Sequence, residues 1–530
     1  MPTHYSSAAL LHSMLGTKLQ QALNLHQAGQ LPQARDIYED ILKIQPSHAD
    51  ALHFLGVVEN HNGNHARAVK LIEKSISVFP NNPSSYLNLG NAQKNLKQFQ
   101  AALVSYNKAI SLKPDYALAY SNRGVVLQAT KRLGEAVTAF DTAIALKPDY
   151  VEAYYNRANA LKDLGRMEAA IASYDAAISF VPDFADAHLN RGSALMELSR
   201  FDTALQSFET AATLRPDHAD AHWNKALLLL LTGKLLAGWP LHEWRWKIGN
   251  ADSERRSFTT PLWLGAESLQ GKTVLLYGEQ GLGDSIQFVR YVKQIANLGA
   301  YVLLEAPLQL KDLFKSVEGV GELFPQGQPL PAFDFHCPLL SLPLALNTTL
   351  ESIPASLSYL KVDSDRVRQW AIKLGHPTKR RVGLAWSGNA KHGNDHNRSI
   401  PLSTLLPYLP EGIEYISLQK ELRDCDKLIL GKDRNKNIRH FGAELIDFSD
   451  TAALCELVDL VISVDTSVAH LAGALGKPVS VLLPHVPDWR WLLERNDCPW
   501  YSSASLYRQA LPRDWDSALK RLCADLHAYS

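Results

Sequence analysis

The sequence predicts a multidomain protein in which an all-α repeat superhelix is followed by an α/β region built from two units. Two observations carry this prediction. Prolines recur every 34 residues from Pro46 to Pro216, and a fixed period of that length is typical of stacked helical hairpins. After Gly271, short β-rich segments alternate with helical ones, which is the pattern of doubly wound α/β layers.

The first half of the chain is a tandem array with the tetratricopeptide period. The residue before a proline is biased away from helical backbone, so each proline ends the second helix of a hairpin: Pro46, Pro80, Pro114, Pro148, Pro182 and Pro216. Small residues also recur where paired helices would cross, from Gly56 in the second repeat to Gly192 in the sixth repeat. The pattern predicts six repeats, the first starting near Leu15, and a degenerate seventh over residues 219 to about 246.

A column of asparagines runs through the first helices of the repeats at the same spacing: Asn88, Asn122, Asn156, Asn190 and Asn224. Carboxamides offer donors and acceptors at regular intervals. They suit the backbone of a peptide or protein partner lying in the concave surface of a repeat array. The alternative is structural, because an asparagine at this position can bond a neighbouring helix. The sequence leaves both uses open.

Tryptophans crowd the segment where the repeat period ends, at Trp244, Trp246 and Trp263. They form either an aromatic cage for a ligand or a cap that joins the last repeat to the next domain. Large aromatic side chains usually carry packing, so we expect the cap. The polar stretch NADSERRS, residues 250–257, is the predicted linker.

The second half begins with the buried, β-rich segments TVLLY and YVLLEA, which are typical of parallel strands. Four later segments repeat the pattern, at residues 381–388, 414–419, 460–465 and 478–484. A helical segment followed by GHPTKRR lies between residues 363 and 381 and looks like a hinge between two α/β units. The sequence therefore predicts three domains, at residues 1–250, 251–370 and 371–530.

The segment GEQGLGDSIQF follows the first of these strands. A dinucleotide fingerprint needs GxGxxG, whereas the glycine spacing here is the reverse. An oxidoreductase is therefore disfavoured, although Glu305 ends the next strand at the distance of a ribose-binding carboxylate. Asp284 begins the helix after the glycines, where a carboxylate either acts as a general base or only caps free N–H groups.

Two neighbours of Asp284 are further candidates. Gly283 and Gln287 are predicted to orient a substrate. Gln287 and Arg290 lie at one-turn spacing along the helix, and the alternative for both side chains is a solvent-facing position.

A second corner occurs in VISVDTSVAHLAGALGKPVSVLLP, which predicts a strand, a turn, a helix and a strand. Asp465 and Thr466 end the first strand, and Ser467 and Val468 open the helix. The free N–H groups and the dipole at a helix start attract a phosphate, and His470 lies one turn further on. The alternative is an N-capped helix with a buried histidine.

Together these segments resemble a known enzyme family. VDTSVAHLAGALGKPVSVLL resembles the nucleotide-sugar corner of the heptosyltransferase-like (family 9) glycosyltransferases. GEQGLGDSIQFVRYV resembles their N-terminal glycine–aspartate corner, in the variant fused to tetratricopeptide repeats. The resemblance spans about residues 261–509 and implies the glycosyltransferase-B fold of two Rossmann-like domains. It also implies inverting, metal-independent transfer from a nucleotide-sugar donor, with no further cofactor.

The resemblance also implies roles for individual residues. Asp284 occupies the catalytic-base position. In WSGNAKHGNDHNRSIPL, the strand end is followed by Ser387, Gly388 and Asn389, and Arg398 matches a basic residue that contacts the donor diphosphate. The heptosyltransferases commonly carry lysine and a different loop there, so the donor's sugar and base stay unassigned. A function of another class stays open: a catalytically silent scaffold whose repeats bind partner peptides.

Composition argues against several other classes of protein. The chain has 54 Lys and Arg against 54 Asp and Glu, which argues against a protein that coats nucleic acid or an anionic membrane. No apolar run reaches the length of a membrane span. Five scattered cysteines without a CxxC pair indicate free thiols in a reducing compartment, and we expect a cytoplasmic protein. HGNDH, residues 392–396, is disfavoured as a metal site because Gly393 and Asn394 oppose the helix that would align both histidines.

Overall fold

The computed structural model of the 530-residue chain describes residues 7–249, 256–354, 356–431 and 438–529. The predicted domain boundary at residue 250 and most of the predicted linker lie outside these residues. The chain divides into two compact units, one ending at Arg215 and the other beginning at Pro216. The seventh repeat therefore belongs to the second unit, and the three-domain division stays a prediction.

Six helical hairpins make up the described part of the first unit, as the period predicts. Their helices are α1 (Ser7–Gln27), α2 (Leu31–Ile44), α3 (Ala49–His61), α4 (His65–Val78), α5 (Pro83–Asn95), α6 (Phe99–Leu112), α7 (Ala117–Ala129), α8 (Leu133–Leu146), α9 (Val151–Asp163), α10 (Met167–Phe180), α11 (Ala185–Glu197) and α12 (Phe201–Leu214). The second helix of each pair ends two residues before the repeating proline. The intervening residue leaves helical geometry, as Lys147 does with φ −138° and ψ 90°.

The crossing of the two helices in a hairpin requires a small residue. A Cβ atom on Gly124 would lie 2.6 Å from Cε1 of Phe140, and one on Gly192 would lie 2.6 Å from Cε1 of Phe208. Both rings are fully buried. The 34-residue recurrence of small residues thus marks the sites where a large side chain of the second helix packs on the first.

The second unit opens with the seventh repeat, which is truncated. Its helices are α13 (Ala219–Leu231) and α14 (Leu235–His242), followed by a 3₁₀ helix at Glu243–Lys247. Trp244 stacks on His222 at 4.0 Å between ring centroids, and Trp263 is 2% exposed. The tryptophans at the end of the period are therefore used for packing.

Two parallel sheets follow. The first contains β1 (Thr273–Tyr277), β2 (Tyr301–Ala306), β3 (Glu322–Pro325) and β4 (Phe335–Pro338), in the order β3-β2-β1-β4. The second contains β5 (Arg381–Ala385), β6 (Glu414–Ser417), β7 (Ile438–His440), β8 (Leu460–Val464), β9 (Val479–Leu483) and β10 (Ala504–Arg508), in the order β10-β9-β8-β5-β6-β7. The six strands predicted from sequence are confirmed, four with shorter ends.

Helices connect these strands. They are α15 (Leu282–Phe288), α16 (Val292–Asn297), α17 (Lys311–Phe314), α18 (Leu342–Ala345), α19 (Ser364–Leu374), α20 (Asp395–Arg398), α21 (Leu402–Leu405), α22 (Asp424–Leu430), α23 (Phe448–Glu456), α24 (Ser467–Ala474) and α25 (Trp515–Tyr529). The predicted boundary after residue 370 falls inside α19. Arg366 and Trp370 of that helix both bond Asp450 of α23, so α19 packs with the second sheet.

Candidate functional site

The strand order of the second sheet places the loop after β5 beside the corner after β8. The chain runs from β5 outward to β7 on one side, and then continues from β8 outward to β10 on the other. β5 and β8 are parallel neighbours, with Ala385 paired to Ser463. The residues after both strands therefore meet at one edge of the sheet. In doubly wound sheets, ligands bind at this point of reversal, outside the carboxyl ends of the strands.

The loop after β5 is held by side chains that the sequence did not single out. The Oε1 of Gln419 accepts the backbone N–H of Ser387 at 3.0 Å, and its Nε2 donates to the Ser387 hydroxyl at 2.9 Å. Gly388 donates its N–H to the Ser399 hydroxyl at 3.0 Å. The Asn389 side chain turns back to accept the N–H of Lys391. The loop is thus fixed from the end of β6.

Arg398 lies against this loop, and no described carboxylate lies within ion-pair distance of it. A Cβ on Gly388 would sit 2.8 Å from its Nη2, so the guanidinium covers the glycine. Within the part of the chain that the structure describes, the side chain has no hydrogen-bond or ion-pair partner, and its Nε is buried. The nearby Arg423, by contrast, bonds Asp395 at 2.6 Å. An unpaired guanidinium at the sheet edge is suited to an anionic ligand.

The corner after β8 begins α24. Thr466 precedes the helix in extended backbone, and its side chain makes no capping bond. The first turn contains no acidic side chain. The positive end of the α24 dipole, at Ser467 and Val468, is therefore not neutralised by its own capping residue or first turn. This agrees with the predicted phosphate-binding role, which stays a prediction.

His470 is enclosed by protein, as the structural alternative supposed. It is 5% exposed, its ring stacks on Trp491 at 5.3 Å, and its Nδ1 lies 3.0 Å from the Tyr501 hydroxyl. Burial, and to a smaller extent the charges of nearby arginines, lower the pKa of His470 well below its usual value. Its Nε2 lies 3.9 Å from the Asp465 carboxylate. Burial, together with the negative charge of the nearby Asp488, raises the pKa of Asp465 to about 6.

The glycine–aspartate corner is joined to this site through Arg490. One oxygen of Asp284 accepts the Gly281 N–H at 2.9 Å, so the carboxylate does cap α15. The other oxygen accepts a bond from Nη2 of Arg490. Gln287 is fully buried and accepts a bond from Nε of Arg490 at 2.7 Å.

The solvent-facing alternative is wrong for both Gln287 and Arg290, because both residues are buried. Arg290 is 5% exposed and donates to the Trp500 carbonyl at 2.6 Å. Its guanidinium lies 4.6 Å from the Tyr359 ring centroid. Arg290 therefore has a packing role, whereas Gln287 lies next to Asp284 through their shared partner Arg490.

The glycine–aspartate corner and the corner that begins α24 touch directly. A Cβ on Gly283 would lie 2.9 Å from Cδ2 of His470 and 3.4 Å from Cα of Ser467. α15 therefore packs on the first turn of α24. Segments that are far apart in sequence are brought into one small region that contains Asp284, Arg490 and the start of α24.

Three charged residues of this region, Glu279, Arg245 and Arg490, were not found by sequence reasoning. Glu279 accepts a bond from Nη2 of Arg245 at 2.9 Å, while its Oε2 is buried without a partner. Burial raises the pKa of Glu279 to about 7 against the opposing effect of Arg245. Arg245 lies in the 3₁₀ helix after the seventh repeat, so only the folded chain brings the two together. Arg490 had a weak sequence signal, as a lone cation between tryptophans.

Glu305 is not available as a ribose ligand. It is 2% exposed and forms an ion pair with Arg256. The guanidinium of Arg256 lies 4.7 Å from the Phe258 ring centroid. The geometry agrees with the glycine spacing in disfavouring a dinucleotide site.

The asparagine column is partly used for contacts between repeats. Asn122 donates to Oδ1 of Asn91 at 2.9 Å, and Asn190 donates to the Tyr155 hydroxyl at 2.8 Å. The Nδ2 of Asn88 lies 3.2 Å from Nε2 of His53. Each partner belongs to the first helix of the preceding repeat. Asn156 and Asn224 are half-buried. Interhelical bonding thus accounts for three members, and the peptide groove stays a prediction.

Three further features hold for the residues that the structure describes. No three His, Cys, Asp or Glu side chains are grouped as a metal site requires. The five cysteines are free thiols, and Cys337, Cys455 and Cys498 are buried. No described helix combines the length and apolar character needed to cross a membrane.

Comparison with known proteins identifies the first region. A TPR repeat model matches residues 95–131, 129–165 and 158–199, and two tetratricopeptide repeat models match residues 19–86, 71–104 and 189–237. The N-terminal region is a tetratricopeptide-repeat array. Protein FlbA of Caulobacter vibrioides is 27% identical over 331 residues, which are 58% of this chain and 54% of FlbA. The match therefore spans about half the length of that relative.

Solved structures similar to the chain include repeat proteins. PilF of Pseudomonas aeruginosa is 21% identical with a TM-score of 0.37, over 41% of this chain and 98% of that one. YrrB, described as a TPR protein with an unusual peptide-binding site, is 19% identical with a TM-score of 0.31, over 35% of this chain and 95% of that one. MamA is 24% identical with a TM-score of 0.29, over 31% of this chain and 96% of that one.

Proposed function

We propose that the chain is a glycosyltransferase that moves a sugar from a nucleotide-diphosphate donor to an acceptor, and that the repeats recruit a protein acceptor. The proposal includes the glycosyltransferase-B arrangement of the two α/β halves and an inverting, metal-independent reaction. It rests on the resemblance of both corners to the family 9 enzymes, joined to the geometry of the second unit.

One observation carries the proposal. The loop at residues 387–389 and the corner that begins α24 follow β5 and β8 at the point where the strand order reverses, and Arg398, which has no ion-pair partner among the described residues, lies against that loop. A diphosphate at this edge would accept bonds from the α24 N-terminus and from Arg398. Both groups would then stabilise the negative charge that develops on the leaving diphosphate as the glycosidic bond breaks.

The acceptor side of the reaction falls to Asp284. Its carboxylate would take the proton of the acceptor hydroxyl as that oxygen attacks the sugar. Gly283 keeps the α15 corner narrow enough to approach α24. A direct displacement requires the base and the leaving diphosphate to lie on opposite sides of the transferred sugar, and the proposal assigns these roles to Asp284 and to the α24 start.

The donor site is tested by nucleotide binding. UDP-, ADP- and GDP-sugars are titrated by calorimetry into the full chain and into Arg398→Ala. A charge-assisted bond contributes about 1.5–3 kcal/mol, so the variant should bind the preferred donor roughly 10–100-fold more weakly. Arg368→Ala is the control, because Arg368 is 73% exposed on α19. Equal affinity of folded Arg398→Ala and wild type would remove Arg398 from the site.

A second candidate is a scaffold that binds partners through its repeats without turnover. This candidate is favoured because both oxygens of the Asp284 carboxylate already accept hydrogen bonds, one from the Gly281 N–H and one from Arg490. A carboxylate in this state has no free oxygen to act as a base. The discriminating measurement is hydrolysis of the donor that binds best. Binding without any turnover, with or without a protein acceptor, would favour the scaffold.

A further inference from the structure

Arg490 links the two α/β halves at the candidate site through side-chain bonds to Asp284 and Gln287. It lies in the loop after β9 and is 8% exposed. Its guanidinium donates Nε to Gln287, Nη2 to Asp284 and Nη1 to Asp488, the last at 2.8 Å. A guanidinium has five N–H donors, so these bonds leave two of them for another acceptor. Arg490 can therefore begin to bond an arriving anion before it releases Asp284.

The surroundings of Arg490 are rich in carboxylates. Asp284 and Asp488 bond it directly, and Asp465 lies close enough for both Arg490 and Arg398 to lower its pKa against the effect of burial. The carboxylates of this region thus outnumber the guanidinium groups near them, three to two. A diphosphate that enters this region brings further negative charge. The cations must then be redistributed, because an unpaired buried charge is costly.

The residue next to Arg490 also contacts α24 through its side chain. This residue, Trp491, stacks on His470 at 5.3 Å. His470 in turn contacts Gly283, which precedes Asp284. The side chain that binds Asp284 is therefore adjacent to the helix end where the donor diphosphate is proposed to bind.

We propose that Arg490 is a positioning residue that exchanges partners: it bonds Asp284 until the donor diphosphate arrives, and then bonds the diphosphate and releases the carboxylate. This inference rests on the proposed glycosyltransferase function. Released Asp284 keeps its bond to the Gly281 N–H and gains a free oxygen for the acceptor proton. The exchange makes the reaction ordered, since the base becomes available only beside a bound donor.

The exchange is tested by a double-mutant cycle on nucleotide affinity, which needs no turnover. UDP, ADP and GDP are titrated by calorimetry into wild type, Asp284→Asn, Arg490→Gln and the double variant. Asp284→Asn frees Arg490 from a carboxylate, so it should bind the preferred diphosphate about tenfold more tightly, whereas Arg490→Gln should bind about tenfold more weakly. In the Arg490→Gln background, Asp284→Asn should change affinity by less than about twofold, because the effect passes through Arg490.

Three controls make the result decisive. Arg495→Gln breaks an ion pair with Asp497 in the same loop and should leave the affinity unchanged. Circular dichroism and thermal melting establish that each variant folds. If Arg490→Gln does not fold, Arg490→Lys replaces it in the cycle, because lysine keeps the charge but cannot reproduce the three-way fork.

The outcomes separate the two proposals. If Asp284→Asn tightens binding equally in both backgrounds, the cause is a general loss of repulsion and the exchange is wrong. If Asp284→Asn does not tighten binding at all, the exchange is also wrong, while a weaker Arg398→Ala variant would still support the donor site. If wild type binds none of the three diphosphates, the proposed function fails, and the exchange fails with it.

Discussion

The contact between the two corners predicts the effect of a single methyl group at Gly283. In Gly283→Ala, the new Cβ would lie 2.9 Å from Cδ2 of His470 and 3.4 Å from Cα of Ser467. The imidazole has little room to move, because it stacks on Trp491 and faces the Tyr501 hydroxyl. The methyl group therefore has to push α15 away from α24.

The magnitude follows from two opposing effects. Adding a methyl group to a close-packed contact costs about 1–3 kcal/mol. Replacing glycine by alanine within a helix returns up to about 1 kcal/mol. We expect a net loss of about 1 kcal/mol in the free energy of unfolding, and a fall of roughly 2–4 °C in the melting temperature. Because the corners separate, nucleotide affinity should also fall.

Urea unfolding and calorimetric titration of the preferred diphosphate measure the two effects. Gly393→Ala is the matched control, since a Cβ at that exposed glycine meets no atom within 4 Å. If Gly283→Ala is as stable as wild type and binds the nucleotide equally well, the direct contact between the corners is not a constraint on the site.

Three further predictions concern the base, the repeats and a buried carboxyl group. Asp284→Asn should lower turnover about 10²–10⁴-fold without unfolding the protein, because asparagine also caps a helix; near-normal turnover in a steady-state assay would leave Asp284 a capping residue. Replacing Asn122, Asn156 and Asn190 together by alanine should reduce transfer to a protein acceptor but not donor hydrolysis, and a triple variant that unfolds would make the column structural. Glu279 has a pKa raised from 4.5 to about 7, so it releases its proton more readily unfolded than folded, and its contribution to stability is lost as pH rises from about 4.5 to about 7. Urea unfolding at pH 5 and pH 8 measures this loss, and Glu279→Gln should lose up to about 3 kcal/mol less free energy of unfolding between the two pH values than wild type. An identical pH dependence in both proteins would contradict the raised pKa of Glu279.

The sequence alone determined the elements whose residues carry a local pattern. The 34-residue proline period predicted the six hairpins, because it repeats a backbone constraint that acts on the adjacent residue. The buried strands Thr273–Tyr277 and Tyr301–Ala306 were predicted to the residue, since continuous β-branched and aliphatic runs mark strands covered on both faces. β3 and β4 were missed because each is four residues long and ends in proline, which weakens the strand pattern.

Only the tertiary structure decided which charges share the site. Gly283 and Ser467 each stood out in sequence, but their contact depends on how α15 and α24 pack. The pairing of Arg490 with Asp284, and of Arg245 with Glu279, joins side chains that lie far apart along the chain. Such pairs leave no periodic signal, because a buried charge needs one partner in space and places no requirement on the sequence distance to it. Local pattern therefore located the corners, and packing determined how each carboxylate in them is neutralised.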